Sequence, residues 1–459
     1  MSAVGRARAD DGLGEGRHRR HAREARTCAR AGNIRVVDAF TSATGSRVST
    51  ARRVPVPRSL HGADGDPHPK EKKMTIPAPA VPTAQETLGR IRDILPVIAE
   101  HTAAAERDRT LQPAAVRAMV EAGMARLLVP RSHGGHEHDL TTWFEATRLI
   151  GQVDASHAWC ASLLGSQAHD ISHFPPEAQQ DVWGDHPDAL IAGAHFPRGQ
   201  VTPAPGGYRL SGSASWMSGI GHATWATFGA LLPGETRVWA MLLVPATDFT
   251  IEQTWDMVAM RGTGSNTGVT DDVFVPHHRV LTMTDLLEGV TEGSLQHAAP
   301  HYRSPYVTYA PATFLGPMLG AAQGALEAFR EHAMAQGGRV AGFESVQNRF
   351  ARAAADLDTA ELLCRRCLTI AESDGPFDLE SRARCARDFS RAGQLIVDAV
   401  DSLMKMSGSG GFAEKRSIQR VWRDVHLASS HVALNSDLTF AHWGRLRLGL
   451  ERPASHGFY

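Results

Sequence analysis

From residue 83 to about 174, large apolar residues recur at helical spacing: Leu88, Ile91, Ile94, Leu95 and Ile98, then Val116, Met119 and Val120, later Phe144, Leu149 and Ile150. A helical region is predicted there. Pro175-Pro176 starts a further short helix, because the preset φ of proline suits a first turn, with Ala178, Val182 and Trp183 as its apolar side. Beyond Leu190 the pattern changes. Residues 190–284 are rich in Gly, Thr, Val and Trp, and Gly206-Gly207 and Pro233-Gly234 punctuate short runs. The runs at 208–212, 225–232, 238–244 and 272–275 read as strands. From Pro311 helical spacing returns, predicting helices over 316–333, 346–372, 381–406 and 417–440, long enough for a bundle. The order is α, β, α: a helical domain at 77–189, a β domain at 190–290 and a helical bundle at 291–459.

The 459-residue chain is 42 % hydrophobic and 21 % charged, ordinary for a globular protein. It has no run of 18 apolar residues, so a membrane partner is not expected. The formal charge of −1 hides a split. Residues 1–73 hold 16 Lys+Arg against 8 Asp+Glu, net +8, leaving 32 against 41, net −9, for the rest. The head, with Arg17, His18, Arg19, Arg20, His21 and Arg23, shows no periodicity and few large apolar residues, so 1–76 is expected to be a disordered basic extension. Three readings of it compete: a nucleic-acid arm, a targeting peptide, or codons translated ahead of a start at Met74. Asp10, Asp11, Glu15 and Glu24 are foreign to a transit peptide and no apolar signal core follows, which favours the last. The acidic body gives no expectation of nucleic-acid binding.

Five scattered cysteines are too few to staple this length, and a reducing, cytoplasmic location is expected. Cys364 and Cys367 form a CxxC inside the helix predicted at 356–372 without a second ligand pair, so packed thiols rather than zinc are expected. His133, His136 and His138 surround Gly134-Gly135 and read as a solvated loop. No metal is expected.

Three segments carry a resemblance: Gly206-Gly207-Tyr208-Arg209-Leu210-Ser211-Gly212 with Trp216-Met217-Ser218-Gly219; Arg261-Gly262-Thr263-Gly264-Ser265 with Asp272-Val273-Phe274-Val275-Pro276; and Trp422-Arg423-Asp424. Over about residues 80–450 the chain resembles the acyl-CoA dehydrogenase fold: an N-terminal α-helical domain, a middle β-barrel domain and a C-terminal four-helix bundle. Within it the chain is similar to the flavin-dependent monooxygenase branch, the oxygenase components of two-component hydroxylases acting on hydroxyphenylacetate and 3-hydroxylated steroids.

The residue chemistry agrees. On an extended strand Trp216 and Ser218 would share a face, an aromatic wall beside a hydroxyl. Gly262 and Gly264 let the backbone around Arg261, Thr263 and Ser265 approach a polar ligand closely. The resemblance implies that Ser218 sits by flavin N5, that Arg261, Thr263 and Ser265 hold flavin, and that Gln347 and the 407–411 loop (Gly408, Gly410, Gly411) lie near it, the loop across a subunit boundary. On a single helix His426 and His431 stand about 500° apart, which disfavours a shared metal. The Glu-Gly-Thr of acyl-CoA dehydrogenases is absent, and His431 falls near its place. The resemblance makes it a proton-transfer group, as imidazole chemistry allows. Trp159 matches a substrate-side tryptophan. Eight residues on, where the phenol hydroxylases carry a histidine, stands Gln167, which cannot act as a base; either His169 substitutes for it or the substrate is not a simple phenol, which leaves N-hydroxylation, sulfur oxidation or oxidation of a polycyclic product open, and His426 is a further candidate substrate contact.

The resemblance therefore implies an oxygenase. It would take FMNH2 or FADH2 from a separate NAD(P)H-dependent flavin reductase, react it with O2 to a C4a-hydroperoxyflavin and hydroxylate an aromatic or polycyclic molecule. No GxGxxG follows a strand, in keeping with delegated reduction. A homotetramer is implied. The alternatives are an acyl-CoA dehydrogenase with bound FAD, or a catalytically silent flavin-binding scaffold.

Overall fold

The computed structural model describes residues 81–335 and 338–451. The basic head and Met74 lie outside them. Thr83 opens α1 (Ala84–Asp108) with a capping box: its hydroxyl accepts the Glu86 N–H at 3.2 Å and the Glu86 carboxylate accepts the Thr83 N–H at 2.7 Å. α2 (Pro113–Glu121), α3 (Leu140–Gly151), α4 (Ala155–Ile171) and α5 (Pro176–Trp183) follow; proline begins α2 as well as α5, the second as the sequence indicates. Every residue of α4 except Leu163 is buried, which makes it the axis of the helical layer.

The middle sheet comprises β1 (Ile191–Ala204), β2 (Gly207–Met217), β3 (Trp225–Leu232), β4 (Val238–Pro245), β5 (Thr250–Glu252), β6 (Asn266–Pro276) and β7 (Val280–Thr282), in the order β5-β6-β2-β1-β3-β4-β7. β1 joins its two halves. Its start runs parallel to β3 and its end antiparallel to β2, with an irregularity between Ala194 and Gly199 where it passes from one to the other. Bulges of this kind re-aim side chains.

After α6 (Met283–Glu288), the C-terminal region holds α7 (Ala312–Ala335), α8 (Glu344–Ala371), α9 (Leu379–Met406), α10 (Ser417–Ser429) and α11 (Ser436–Arg447). The single helix predicted at 417–440 is two. Asn435 accepts the Asp437 and Leu438 N–H groups as the cap of α11, so local side-chain chemistry outweighs the apolar spacing. α3 and α7 pack in near-contact. A Cβ on Gly316 would stand 2.3 Å from Thr147 Oγ1, and one on Gly320 or Gly324 2.1 Å from the Arg148 or Gln152 carbonyl. Bare glycines at every fourth position let these backbones touch.

Cys364 and Cys367 are buried thiols whose pKa burial pushes up, as packed thiols should be. The expected solvated histidine loop is corrected. His136 and His138 are buried, their N–H groups bonded to the Arg126 and Leu127 carbonyls at 2.9 Å, and the His138 ring meets Thr87 Oγ1 at 3.0 Å. Gly135 permits the fold-back, since a Cβ there would lie 1.9 Å from the Val129 carbonyl oxygen. Among the described residues no helix is long and apolar enough to cross a membrane, and no three His, Cys, Asp or Glu are grouped to hold a metal.

Candidate active site

Four side chains from three elements form one hydrogen-bonded line. Trp159, in the first turns of α4, donates Nε1–H to Ser218 Oγ at 3.0 Å. Ser218 Oγ lies 2.8 Å from Ser265 Oγ, which lies 2.7 Å from Thr263 Oγ1. Thr263 spends its only hydroxyl hydrogen on the Met260 carbonyl at 2.8 Å. With one hydrogen per hydroxyl, Ser265 must then donate to Thr263 and Ser218 to Ser265. The line is directional, from indole to carbonyl. Ser218 keeps one acceptor position open at its head.

The glycine-rich loop that carries Thr263 and Ser265 is fixed from α10. Asp424 accepts the Met260 N–H at 2.5 Å, and Arg423 bonds the Val258 carbonyl and, at 3.0 Å, the Glu106 carboxylate. Burial raises the Asp424 pKa to about 7, against the lowering effect of the Met260 N–H. Met260 and Gly264 both take positive φ, 49° and 52°, which turns the loop back toward Ser218. The Gly219 N–H closes the junction on the Thr263 carbonyl at 2.9 Å.

On its other side Trp159 stacks 5.3 Å from Phe314, whose ring centroid is 3.9 Å from that of His431. Thus Ser218 and His431 occupy two ends of one aromatic file. His431 does not ride on a helix, so the angular argument relating it to His426 is corrected: α10 ends at Ser429, and His431 caps a short turn, its Nδ1 accepting the Ala433 N–H at 3.2 Å. That bond places the neutral ring's hydrogen on Nε2. Burial against protein lowers its pKa and His195 adds to the shift; one edge of the residue stays exposed on the single chain, so the effect is less than full enclosure would give.

The other candidates are placed as follows. Trp216 takes φ 69°, breaking the strand alternation that would have set it beside Ser218; it is 59 % exposed and packs edge-on against Trp255 at 5.2 Å, while Ser218 is buried. The shared-face expectation is therefore corrected. Arg261 is turned to α1, its Nε donating to the Glu106 carbonyl at 3.0 Å. Gln347 is exposed on α8 and bonds the Ala341 carbonyl at 3.0 Å. Gly408 and Gly410 are exposed and Gly411 is buried, in a turn between α9 and α10. His426 bonds Asp401 Oδ1 at 3.0 Å, on α9. None of these last five meets the hydroxyl line within the single chain.

Gln167 and His169 diverge. Two residues on a helix are about 200° apart, and His169 is fully buried against Tyr309 and Tyr302, with ring centroids at 4.4 and 5.4 Å. It cannot stand in for position 167. The imidazole that does approach Gln167 is His195 of β1, Nε2 to Nε2 at 3.1 Å, a residue that sequence reasoning missed along with Phe314. Only the β bulge could have signalled it.

The open acceptor on Ser218, beside the Trp159 and Phe314 rings, fits the N–H-bearing edge of a reduced flavin. Comparison with known proteins points the same way. Residues 91–185 match the acyl-CoA dehydrogenase N-terminal domain family and residues 312–436 the acyl-CoA dehydrogenase C-terminal domain family. The chain is 33 % identical over 378 residues to the flavin-dependent monooxygenase oxygenase subunit HsaA of Rhodococcus jostii, covering 79 % of this chain and 98 % of that one. It is 35 % identical to the oxygenase component of the FADH(2)-dependent resorcinol hydroxylase of a Rhizobium species, over 79 % and 94 %. The solved HsaA structure from M. tuberculosis superposes with a TM-score of 0.77 at 33 % identity, covering 81 % of this chain and all of that one. The chain belongs to the acyl-CoA dehydrogenase-like family of flavin-dependent monooxygenase oxygenase components.

Proposed function

We propose that this chain is the oxygenase half of a two-component system. It receives FMNH2 or FADH2 from a separate NAD(P)H-dependent flavin reductase and uses O2 to hydroxylate an aromatic or polycyclic small molecule. The directed line from Trp159 through Ser218 to the Met260 carbonyl is the observation that carries this reading, because it leaves an acceptor on Ser218 that the N–H of a reduced flavin would fill. The relatives are named as oxygenase subunits or components, which supports delegated reduction.

Reduced flavin, when bound, supplies the electrons that activate O2. The chain's residues do the rest. Ser218 would accept the bound flavin's N–H, and the Trp159 and Phe314 rings would help exclude water. His431 offers Nε2 for proton exchange, held in one tautomer by the Ala433 N–H. Thr263 and Ser265 fix Ser218, and Arg261 holds the loop's entry through Glu106. The exposed Gln347 and the 407–411 turn, exposed at Gly408 and Gly410, are assigned to flavin contacts completed by a second copy, in keeping with a homotetramer. We place the protein in the cytoplasm.

An acyl-CoA dehydrogenase would need a carboxylate near His431. The carboxylate of α10 at Asp424 is instead bound to the Met260 N–H. The test is to mix the chain anaerobically with FMNH2, then with FADH2, admit oxygen and follow absorbance. A long-lived spectrum matching neither reduced nor oxidised flavin supports the oxygenase. Immediate single-phase reoxidation, with dye reduction by an acyl-CoA, overturns it.

A further inference from the structure

At the far end of α4 lies a second polar group that the hydroxyl line does not use. Asp170 stands eleven residues from Trp159, three turns at about 1100°, so both lie on one stripe of the helix. Asp170 is 1 % exposed, and among the described residues no Lys or Arg pairs with it; its ionic neighbour is His195 at 3.5 Å. Burial holds its carboxyl well above the usual carboxylate range. Gln167 is oriented by Thr227, whose hydroxyl donates to Oε1 at 2.9 Å. The amide nitrogen therefore faces Asp170 Oδ2 at 3.0 Å and His195 Nε2 at 3.1 Å. With an amide hydrogen on Nε2, the neutral His195 ring carries its own hydrogen on Nδ1, 3.4 Å from the Tyr306 hydroxyl.

The backbone is shaped for this contact. A Cβ on Gly193 would fall 2.2 Å from Gln167 Oε1 and 2.6 Å from Thr227 Oγ1, so only glycine leaves room for the bond. His195 sits within the β1 irregularity, which tips it out of the ladder toward α4. Thr227, Gln167 and Asp170 are buried, but His195 and Tyr306 are half-buried, so the network ends on two accessible groups.

We propose that the Tyr306 hydroxyl, held by His195, which the buried Thr227–Gln167–Asp170 set orients in turn, forms an anchor that hydrogen-bonds a hydroxyl or carbonyl oxygen of the aromatic substrate. The inference rests on the oxygenase reading for the word substrate. It names what replaces the histidine missing at position 167: a group that recognises a neutral oxygen and positions the ring rather than a base that ionises it. Burial holds the His195 pKa down at about 4, which agrees with a neutral imidazole.

The probes are 2-naphthol and naphthalene, with binding measured by equilibrium dialysis under anaerobic conditions in the presence of FMNH2. The wild-type chain should prefer 2-naphthol, and His195→Ala and Tyr306→Phe should each cut that preference by roughly five- to tenfold. His195→Gln, which keeps donor and acceptor, should restore most of it. Tyr306→Phe retains shape and serves if the alanine variant does not fold. Equal or no binding of the two probes by wild type, or an unchanged preference in both variants, overturns the anchor. A naphthol preference without any oxygen-dependent flavin transient would sink the oxygenase reading and leave the anchor standing; a transient without the preference would do the reverse.

Discussion

The indole Nε1–H of Trp159 donates to Ser218 Oγ at 3.0 Å, so a helix of the N-terminal layer sets the hydrogen-bonding sense of a serine at the end of a sheet strand. Trp159→Phe should keep the stack on Phe314 and remove that donor. Folding stability should fall by only about 1 kcal/mol. The lifetime of the flavin transient should shorten about tenfold, measured by stopped-flow absorbance. An unchanged lifetime would show that the indole hydrogen does not set Ser218.

Ser218 and Ser265 should be energetically coupled, because each hydroxyl fixes the other's direction. In urea unfolding, Ser218→Ala and Ser265→Ala should fail to add, with an interaction energy of about 0.5–1.5 kcal/mol in the double mutant. Simple additivity would contradict the directed line.

His431 offers a separation of roles. His431→Asn retains an acceptor for the Ala433 N–H but cannot exchange a proton near neutral pH. The variant should keep its melting temperature while substrate oxygenation slows about a hundredfold. Wild-type rates in flavin oxidation and in product formation would remove His431 from the mechanism.

The glycine stripe between α3 and α7 predicts a purely structural defect. Gly320→Ala should destabilise the chain by about 1–3 kcal/mol, since its Cβ meets backbone that cannot move aside. Thermal unfolding checks this.

Acid stability follows from the buried imidazoles behind the site. Burial lowers His173 and His297 to about 4 and His301 to about 3, and lowers His169 as well. Among the described residues, at least one ring nitrogen on each of the four has no hydrogen-bond partner. In the unfolded chain these groups take up protons below about pH 6.5, whereas in the fold His173 and His297 stay neutral to about pH 4 and His301 to about pH 3. Stability is therefore full above pH 6.5 and falls as pH drops toward 4, by about 1.4 kcal/mol per pH unit for each such group. The raised carboxyls of Asp170 and Asp424 work in the opposite sense in this window but are fewer. His301→Gln should flatten the slope of unfolding free energy between pH 5 and 6.5 by about one proton. An unaltered slope would place the acid sensitivity elsewhere.

Much of the architecture was legible because apolar spacing separates the helical layers from the sheet, and Pro176 begins a helix where it should. Ser218, Thr263 and Ser265 were singled out because they stand in or beside short glycine-rich segments, and Trp159 separately, on a helix, by resemblance alone. Their bonding order was not legible, since it depends on one hydrogen count across three elements. Position 431 was read onto a helix because nothing in apolar periodicity reports a side-chain cap. Trp216 was misplaced by a single positive φ. The His195 anchor was invisible because β1 bends there, and a bend leaves no periodic mark.

The most direct test supplies the chain with a flavin reductase, NADH and 18O2, using 2-naphthol and resorcinol as probes, and reads the product by mass. The account predicts one 18O atom in each hydroxylated product. Flavin oxidation that yields only hydrogen peroxide, or product oxygen drawn from water, would contradict it.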